Sequence, residues 1–303
     1  MLKTLKRLKD NKRITPPEWL IGNTLYLCQM GSVAYGVSTD KSDIDVYGYC
    51  MPPSEVVFPS KYGYIHGFDK PPEFEQWQEH HAVDSTSGNE YDFSVYSILK
   101  YFRLVMECNP NMIDSLFVPR TCILHSTAIS ELVRENRTLF LHKGVWQKFK
   151  GYAYSQMHKM NIKEPNPESK RYASIMEYGY DVKFAYHVVR LLSEVEEILL
   201  SGDLTLNEKS RREQMKAIRR GEWKIDDIKD WFDSKEKELE SVYLNCKILP
   251  YSYKENLPSI KKILMTCLEM WYEDTRKNIT DESQSKAEKA LMEIRKIIQG
   301  VDI

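Results

Sequence analysis

The chain has 303 residues, 42% of them hydrophobic, and 43 Lys+Arg against 44 Asp+Glu give a net charge of -1. That length buries a full core and predicts two domains, while the balanced charge excludes a uniformly basic nucleic-acid binder, so any basic surface must be local. No apolar run nears the roughly 18 residues of a membrane-spanning helix, no apolar segment follows the N-terminal lysines as a signal peptide needs, and Cys28, Cys50, Cys108, Cys122, Cys246 and Cys267 form no C-x-x-C pair; the expectation is a cytoplasmic protein with reduced thiols, no membrane contact and no zinc site.

Met1 to Ile14 sets Leu2, Leu5 and Leu8 at three-residue spacing among lysines and arginines, which predicts a short basic amphipathic helix ended by Pro16-Pro17. A helix packed by its leucines is the reading, with a nucleic-acid-contacting arm as the alternative. The apolar run Thr24 to Met30 predicts a buried strand that feeds a turn at Gly31-Ser32, where backbone N–H groups can approach a phosphate with no side chain in the way at Gly31. Ten residues later Asp43-Ile44-Asp45-Val46 opens a second strand, ended by Pro52-Pro53. Side chains two apart on a strand share a face, so Asp43 and Asp45 project together. Two carboxylates on one face repel unless a cation sits between them, and Mg²⁺ is a hard ion held by one or two carboxylates plus substrate phosphates.

The order apolar strand, Gly-Ser, short spacer, Asp-apolar-Asp-apolar resembles the signature of the DNA polymerase β-like nucleotidyltransferase superfamily. Met30 stands where many members carry a further glycine. The resemblance implies a nucleotidyltransferase that takes an NTP and Mg²⁺, with Mn²⁺ as a substitute. It also implies a third carboxylate from a neighbouring strand.

Phe68 to Glu90 is polar and irregular and reads as a long loop or β-excursion, with His80-His81 a solvated pair. On the next predicted strand, Asp92 lies among apolar and aromatic residues, where a carboxylate needs a reason to be. It is the expected third carboxylate, with Asp84 and Glu90 as fallbacks; the structural alternatives are a strand-edge aspartate or an N-cap for a helix from Ser94 to Glu107. Tyr96-Ser97-Ile98-Leu99-Lys100-Tyr101 and Asn109-Pro110-Asn111 through Asp114-Ser115-Leu116-Phe117 resemble the Tyr-Ser-x-x-Lys-[Phe/Tyr] and Asn-Pro-Asn-x-x-[Glu/Asp]-x-Leu-Phe segments of the RlaP/YcgL-type branch, an RNA-repair-associated polymerase β-like family.

From Leu139 onward the chain reads as helices. In Tyr178 to Leu200 an apolar stripe (Phe184, Val188, Leu191, Val195, Ile198) runs beside a polar one of Lys183, His187, Arg190, Glu194 and Glu197. Lys183, His187 and Arg190 match the branch's Lys-x-x-x-His-x-x-Arg-Leu-Leu pattern; the resemblance implies that they line the cleft and take up triphosphate charge, with Gly31, Ser32 and Ser42 completing the nucleotide site. An outer helix face with an Arg190–Glu194 pair is the alternative. Lys209 to Arg220 is a basic segment that reads either as an RNA-backbone patch or as a solvated helix. Helices are predicted over 222–244, from Leu257, and over Ser283 to Gln299, the last closed by Gly300.

The expected architecture is α+β: a polymerase β-like nucleotidyltransferase domain with a small mixed sheet over 1–125, then a helical domain over 135–303 that closes the cleft. The resemblance implies two metals about 3.5–4 Å apart, held by Asp43, Asp45 and Asp92, and NMP transfer to an acceptor hydroxyl with release of pyrophosphate. The branch points to an RNA 3′ end as acceptor, tRNA among the candidates. A protein or small-molecule acceptor, or an inactive nucleotide- or RNA-binding module, are the alternatives. The nucleotide base is left open.

Overall fold

The computed structural model of the protein describes residues 1–38, 43–65, 67–160, 167–168 and 171–272. The C-terminal helix expected over 283–299 lies outside the described residues. At its centre is a five-stranded mixed sheet in the order β3-β4-β2-β1-β5, with β1 at Thr24–Gln29, β2 at Ile44–Cys50, β3 at Gln76–Val83, β4 at Glu90–Ser97 and β5 at Ile123–Ser126. β2 and β4 run parallel, and every other pairing is antiparallel.

Both faces of β1 are buried, as its apolar run requires. One face of the sheet carries Leu27, Val46, Phe93 and Val95 and is covered by Leu5 and Leu8 of helix α1 (Leu2–Asp10). Burial of each leucine contributes about 1.5–3 kcal/mol, so α1 is a packing element first. Its Arg7 reaches Asp84 at the far hairpin. The opposite face carries Tyr26 and Tyr49, which meet Tyr101 in a row of rings. Tyr101 belongs to α3 (Ile98–Met106), which leads to α4 (Pro110–Phe117).

The polar stretch 68–90 is a β-excursion, one of its two readings: it carries strand β3, whose Trp77 and Ala82 bury against the core. One expectation changes here. The helix expected from Ser94 begins only at Ile98: Ser94, Val95 and Tyr96 pair with both β2 and β3, and the side chain of Ser97 accepts the N–H of Lys100 at 3.1 Å as the N-cap. Asp92 therefore sits within a strand and does not cap a helix.

A short helix α2 (Ser54–Val57) follows β2, and α5 (Ala128–Glu135) follows β5. Further helices are α6 (Val145–Met160), α7 (Tyr172–Tyr178), α8 (Val182–Ser201), α9 (Lys209–Arg219) and α10 (Ile225–Asn245), and residues 257–272 are helical as expected from Leu257. α8 is the pivot, packed against α6, α9 and α10. Asp181 caps its N-terminus by accepting the N–H of Lys183 at 2.8 Å, and Gly202 ends it at φ +72°. The sheet and helices α1 to α10 lie within Met1–Ile260, one compact unit, and a second unit begins at Lys261. Among the described residues no helix is long and apolar enough to cross a membrane.

Candidate active site

The turn after β1 is built by its glycine. Gly31 has φ +68°, and a Cβ there would collide with the carboxylate of Asp45. The Met30 N–H donates to the carbonyl of Asp45 at 2.8 Å, which fixes the end of β1 against the start of β2. The turn then closes on itself: Tyr35 N–H donates to Gly31, Gly36 N–H to Val33 and Val37 N–H to Ser32, at 3.3, 3.0 and 2.8 Å. The parallel register of β2 and β4 sets Asp45 directly beside Asp92, two strands that neighbour in the sheet but lie far apart in sequence.

A cavity of about 520 Å³ opens over this point. Gly31, Ser32, Asp43, Asp45 and Asp92 line one side; Lys183, His187 and Arg190 of α8 line the other. Ser42 lies outside the described residues. The fallback carboxylates are elsewhere in the hairpin. Asp84 accepts from Arg7 and from the Ser87 hydroxyl at 3.0 Å, and Glu90 is held by His81. Lining residues to which sequence reasoning gave no role in the cleft are Tyr35, Tyr47, Asn111, Arg171, Tyr186 and Arg219. Tyr35 and Asn111 lay within the two quoted motifs, and Arg219 within the basic segment over 209–220. Arg171 carried no signal, because segments distant along the chain meet at the cavity.

The electrostatics of the cavity are lopsided. Burial pushes the Asp45 carboxyl above its usual range; the Lys183 ammonium draws it back down, and the charges of Asp92 and Asp43 raise it again. The His187 imidazole is held well below its ordinary value by burial first, then by Arg190, Lys183, Arg171 and Arg219. It is neutral at pH 7 and stands edge-on to the Tyr35 ring at 6.4 Å.

His80 and His81 are exposed but not idle. The β3–β4 register slips between Glu79 and Ala82, and His81 takes φ +56°, a β-bulge. The bulge aims the His81 N–H at Asp92 Oδ1, 2.8 Å away, and brings His80 Nδ1 to 3.7 Å of the same oxygen.

Arg190 differs most from an exposed helix face. It is buried and paired with Asp114 of α4, with the Tyr35 hydroxyl at 2.7 Å, and with Glu194, itself fully buried. The polar stripe of α8 is thus internal at Arg190 and Glu194, while Lys183 at its start stays exposed. The basic segment over 209–220 divides in the same way. Arg211 is buried against Glu197 and Arg219 donates to the Val37 carbonyl, while Lys209, Lys216 and Arg220 point outward.

Among the described residues no three histidine, cysteine or carboxylate side chains come close enough together to ligate one ion. The donor chemistry of the cavity nonetheless suits a hard cation. Asp43, Asp45 and Asp92 offer only oxygens, and Asp43 and Asp92 each raise the cost of charging the partly buried Asp45 carboxylate in the absence of a counter-ion. A Mg²⁺ site takes one or two protein carboxylates and completes its shell with water and substrate phosphate.

No curated protein matches the chain. Among solved structures, a nucleotidyltransferase-like protein from Exiguobacterium sibiricum 255-15 is similar at 10% identity over 87% of this chain and 78% of that one, with a TM-score of 0.29. The model of the RlaP family, described as the RNA repair pathway DNA polymerase beta family, matches residues 1–234, a span that holds the whole cavity. The chain therefore belongs to the RlaP family and is a polymerase β-like nucleotidyltransferase.

Proposed function

We propose that the protein transfers a nucleoside monophosphate from an NTP to the 3′ hydroxyl of an RNA, tRNA among the candidates, and releases pyrophosphate. The observation that carries this reading is the cavity in which Asp45 and Asp92, paired across parallel strands, face Lys183 with the Gly31-Ser32 turn at its edge. The family, by its description, adds RNA repair.

Asp43, Asp45 and Asp92 would hold Mg²⁺, which supplies Lewis-acid polarisation of the reacting phosphate and of the attacking hydroxyl when bound. The chain's own groups do the rest. The backbone at Gly31-Ser32 and the Lys183 ammonium receive the triphosphate. His187, held neutral, offers a hydrogen bond without adding charge. Asp92 has one oxygen engaged by the His81 N–H and its other left to accept the proton of the incoming hydroxyl. Outward lysines of α9 are suited to an RNA backbone, which would make acceptor affinity fall steeply with salt.

The test is a transfer assay with each α-³²P-labelled NTP, Mg²⁺ and total cellular RNA, beside an Asp43→Ala/Asp45→Ala control. Label in RNA, absent from the control, supports the reading and names the base. Label in protein would replace it with protein nucleotidylation. Bound NTP with no label anywhere would leave a binding module.

A further inference from the structure

The cluster around Arg190 is costly. Asp114 and Glu194 are fully buried and Arg190 is 4% exposed. Asp114 Oδ1 and Arg190 Nε have no hydrogen-bond partner among the described residues. A buried ion pair that is not fully hydrogen-bonded is less stable than apolar residues of the same volume. Its members come from three separate segments: Tyr35 from the turn after β1, Asp114 from α4, Arg190 and Glu194 from α8.

The shared element is the Tyr35 hydroxyl. It donates to Asp114 Oδ2 at 2.8 Å and accepts from Arg190 Nη1 at 2.7 Å, and the Arg190 guanidinium lies over its ring, 4.3 Å from the centroid. Two further arginines lie against the same turn, Arg219 by its guanidinium and Arg212 by its side-chain methylenes. Arg219 donates to the Val37 carbonyl, and Arg212 packs against Gly36, whose φ is +69°. The turn is thus fixed at Met30 by the Asp45 carbonyl, at Tyr35 by Arg190 and Asp114, and at Val37 by Arg219.

We propose that Tyr35 and Asp114 are positioning residues for nucleotide binding: through Arg190 they lock the Gly31–Val37 turn in the shape that presents its backbone to phosphate. Arg190 then acts through the lock and not as a phosphate ligand. The inference rests on the reading of Gly31-Ser32 as the phosphate site. It explains why this chain sinks an aspartate and an arginine into its core beside the cavity, where an apolar pair would hold the fold more firmly.

The informative variant is Tyr35→Phe, which deletes one hydroxyl and leaves the ring and the Asp114–Arg190 pair in place. The matched control is Tyr101→Phe, which loses an equally buried hydroxyl bonded to Ser115 Oγ at 2.9 Å, away from the turn. Titration with the Mg²⁺ complexes of the four NTPs should show binding weakened about tenfold in Tyr35→Phe and unchanged in Tyr101→Phe, with similar melting temperatures. Hydrogen exchange of the amides of residues 35–37 should quicken in Tyr35→Phe alone. Arg190→Lys keeps the charge but loses the fork that grips Tyr35 and Asp114, so the lock predicts weakened binding and quickened exchange at 35–37 there too. Unchanged NTP binding in Tyr35→Phe, an equal loss in Tyr101→Phe, or full binding by Arg190→Lys would each overturn the proposal. If the wild-type protein binds no NTP, the phosphate-site reading itself fails; exchange at 35–37 still decides, and wild-type rates in Tyr35→Phe would sink the lock.

Discussion

Gly31→Ala is the sharpest perturbation of the candidate site, because two separable penalties meet in one methyl group. The backbone penalty comes from φ +68°, which costs a residue with a Cβ about 1–2 kcal/mol. In a chain of this size that lowers the melting temperature by about 2–3 °C. The steric penalty falls on Asp45, since the new Cβ overlaps its Oδ2. The carboxylate must retreat by roughly 1 Å to reach ordinary contact, and a displacement of that size in a reacting site costs about 100-fold in rate. Gly202→Ala separates the two. Gly202 has φ +72° but meets only Ile248 Cδ1 and Leu249 Cδ2 at 3.8 Å, and it lies roughly 28 Å along α8 from Lys183. Thermal melting together with pyrophosphate release on NTP and RNA gives both readouts. Similar losses of melting temperature are expected, with transfer collapsing only in Gly31→Ala. Wild-type turnover by Gly31→Ala, or an equal loss in Gly202→Ala, would refute the reasoning.

Asp45→Asn removes a partly buried charge flanked by Asp43 and Asp92, so it should abolish transfer yet raise the melting temperature by about 2 °C; a lowered melting temperature would show that the carboxylate is already compensated. Mg²⁺ at a hundredfold over its dissociation constant should stabilise the wild type by about 2.7 kcal/mol. An equal Mg²⁺ shift in Asp45→Asn would place the ion elsewhere. Burial raises Glu194 from 4.5 to about 8 amid Arg190, Asp114, Arg211 and Glu197. The folded state therefore holds a proton there that the unfolded state has lost, and stability present at low pH drains away as pH rises between those values. Glu194→Gln should flatten that decline of melting temperature, and parallel profiles for variant and wild type would exclude Glu194 as its source. Lys216→Ala should reduce the slope of RNA affinity against salt by about 0.7–0.9, whereas Arg211, spent on Glu197, should stay out of that slope; an unchanged slope in Lys216→Ala would remove α9 from the RNA surface.

Much of this was local chemistry, and local chemistry is legible in a sequence. The strand Thr24–Gln29, the glycine turn, and the alternation that turns Asp43 and Asp45 to one face depend on residues within a dozen positions of one another. Element boundaries were less legible where pairing overrode propensity. Ser94 to Ser97 look helical by pattern yet stay extended, because β2 and β3 flank them on both sides. His80-His81 read as a solvated pair, and their role beside Asp92 comes from a slipped register that only the sheet reveals.

The deepest divide runs through α8. The 3.6-residue period placed Lys183, His187, Arg190 and Glu194 on one face, but a period cannot say what a face looks at. An exposed Arg190–Glu194 pair and a buried one have the same spacing. The fold decided between them by laying that face over the turn at Tyr35 and over Asp114. Desolvation and close charges then set what each group can do, and both depend on neighbours more than 70 residues away, at |i−j| of 155 and 76. Residue types and spacings determined the carboxylate pair and the turn; only the tertiary structure decided that Lys183 stays open to the cavity while Arg190 is buried against Tyr35 and Asp114, because burial and partnership belong to the packed molecule.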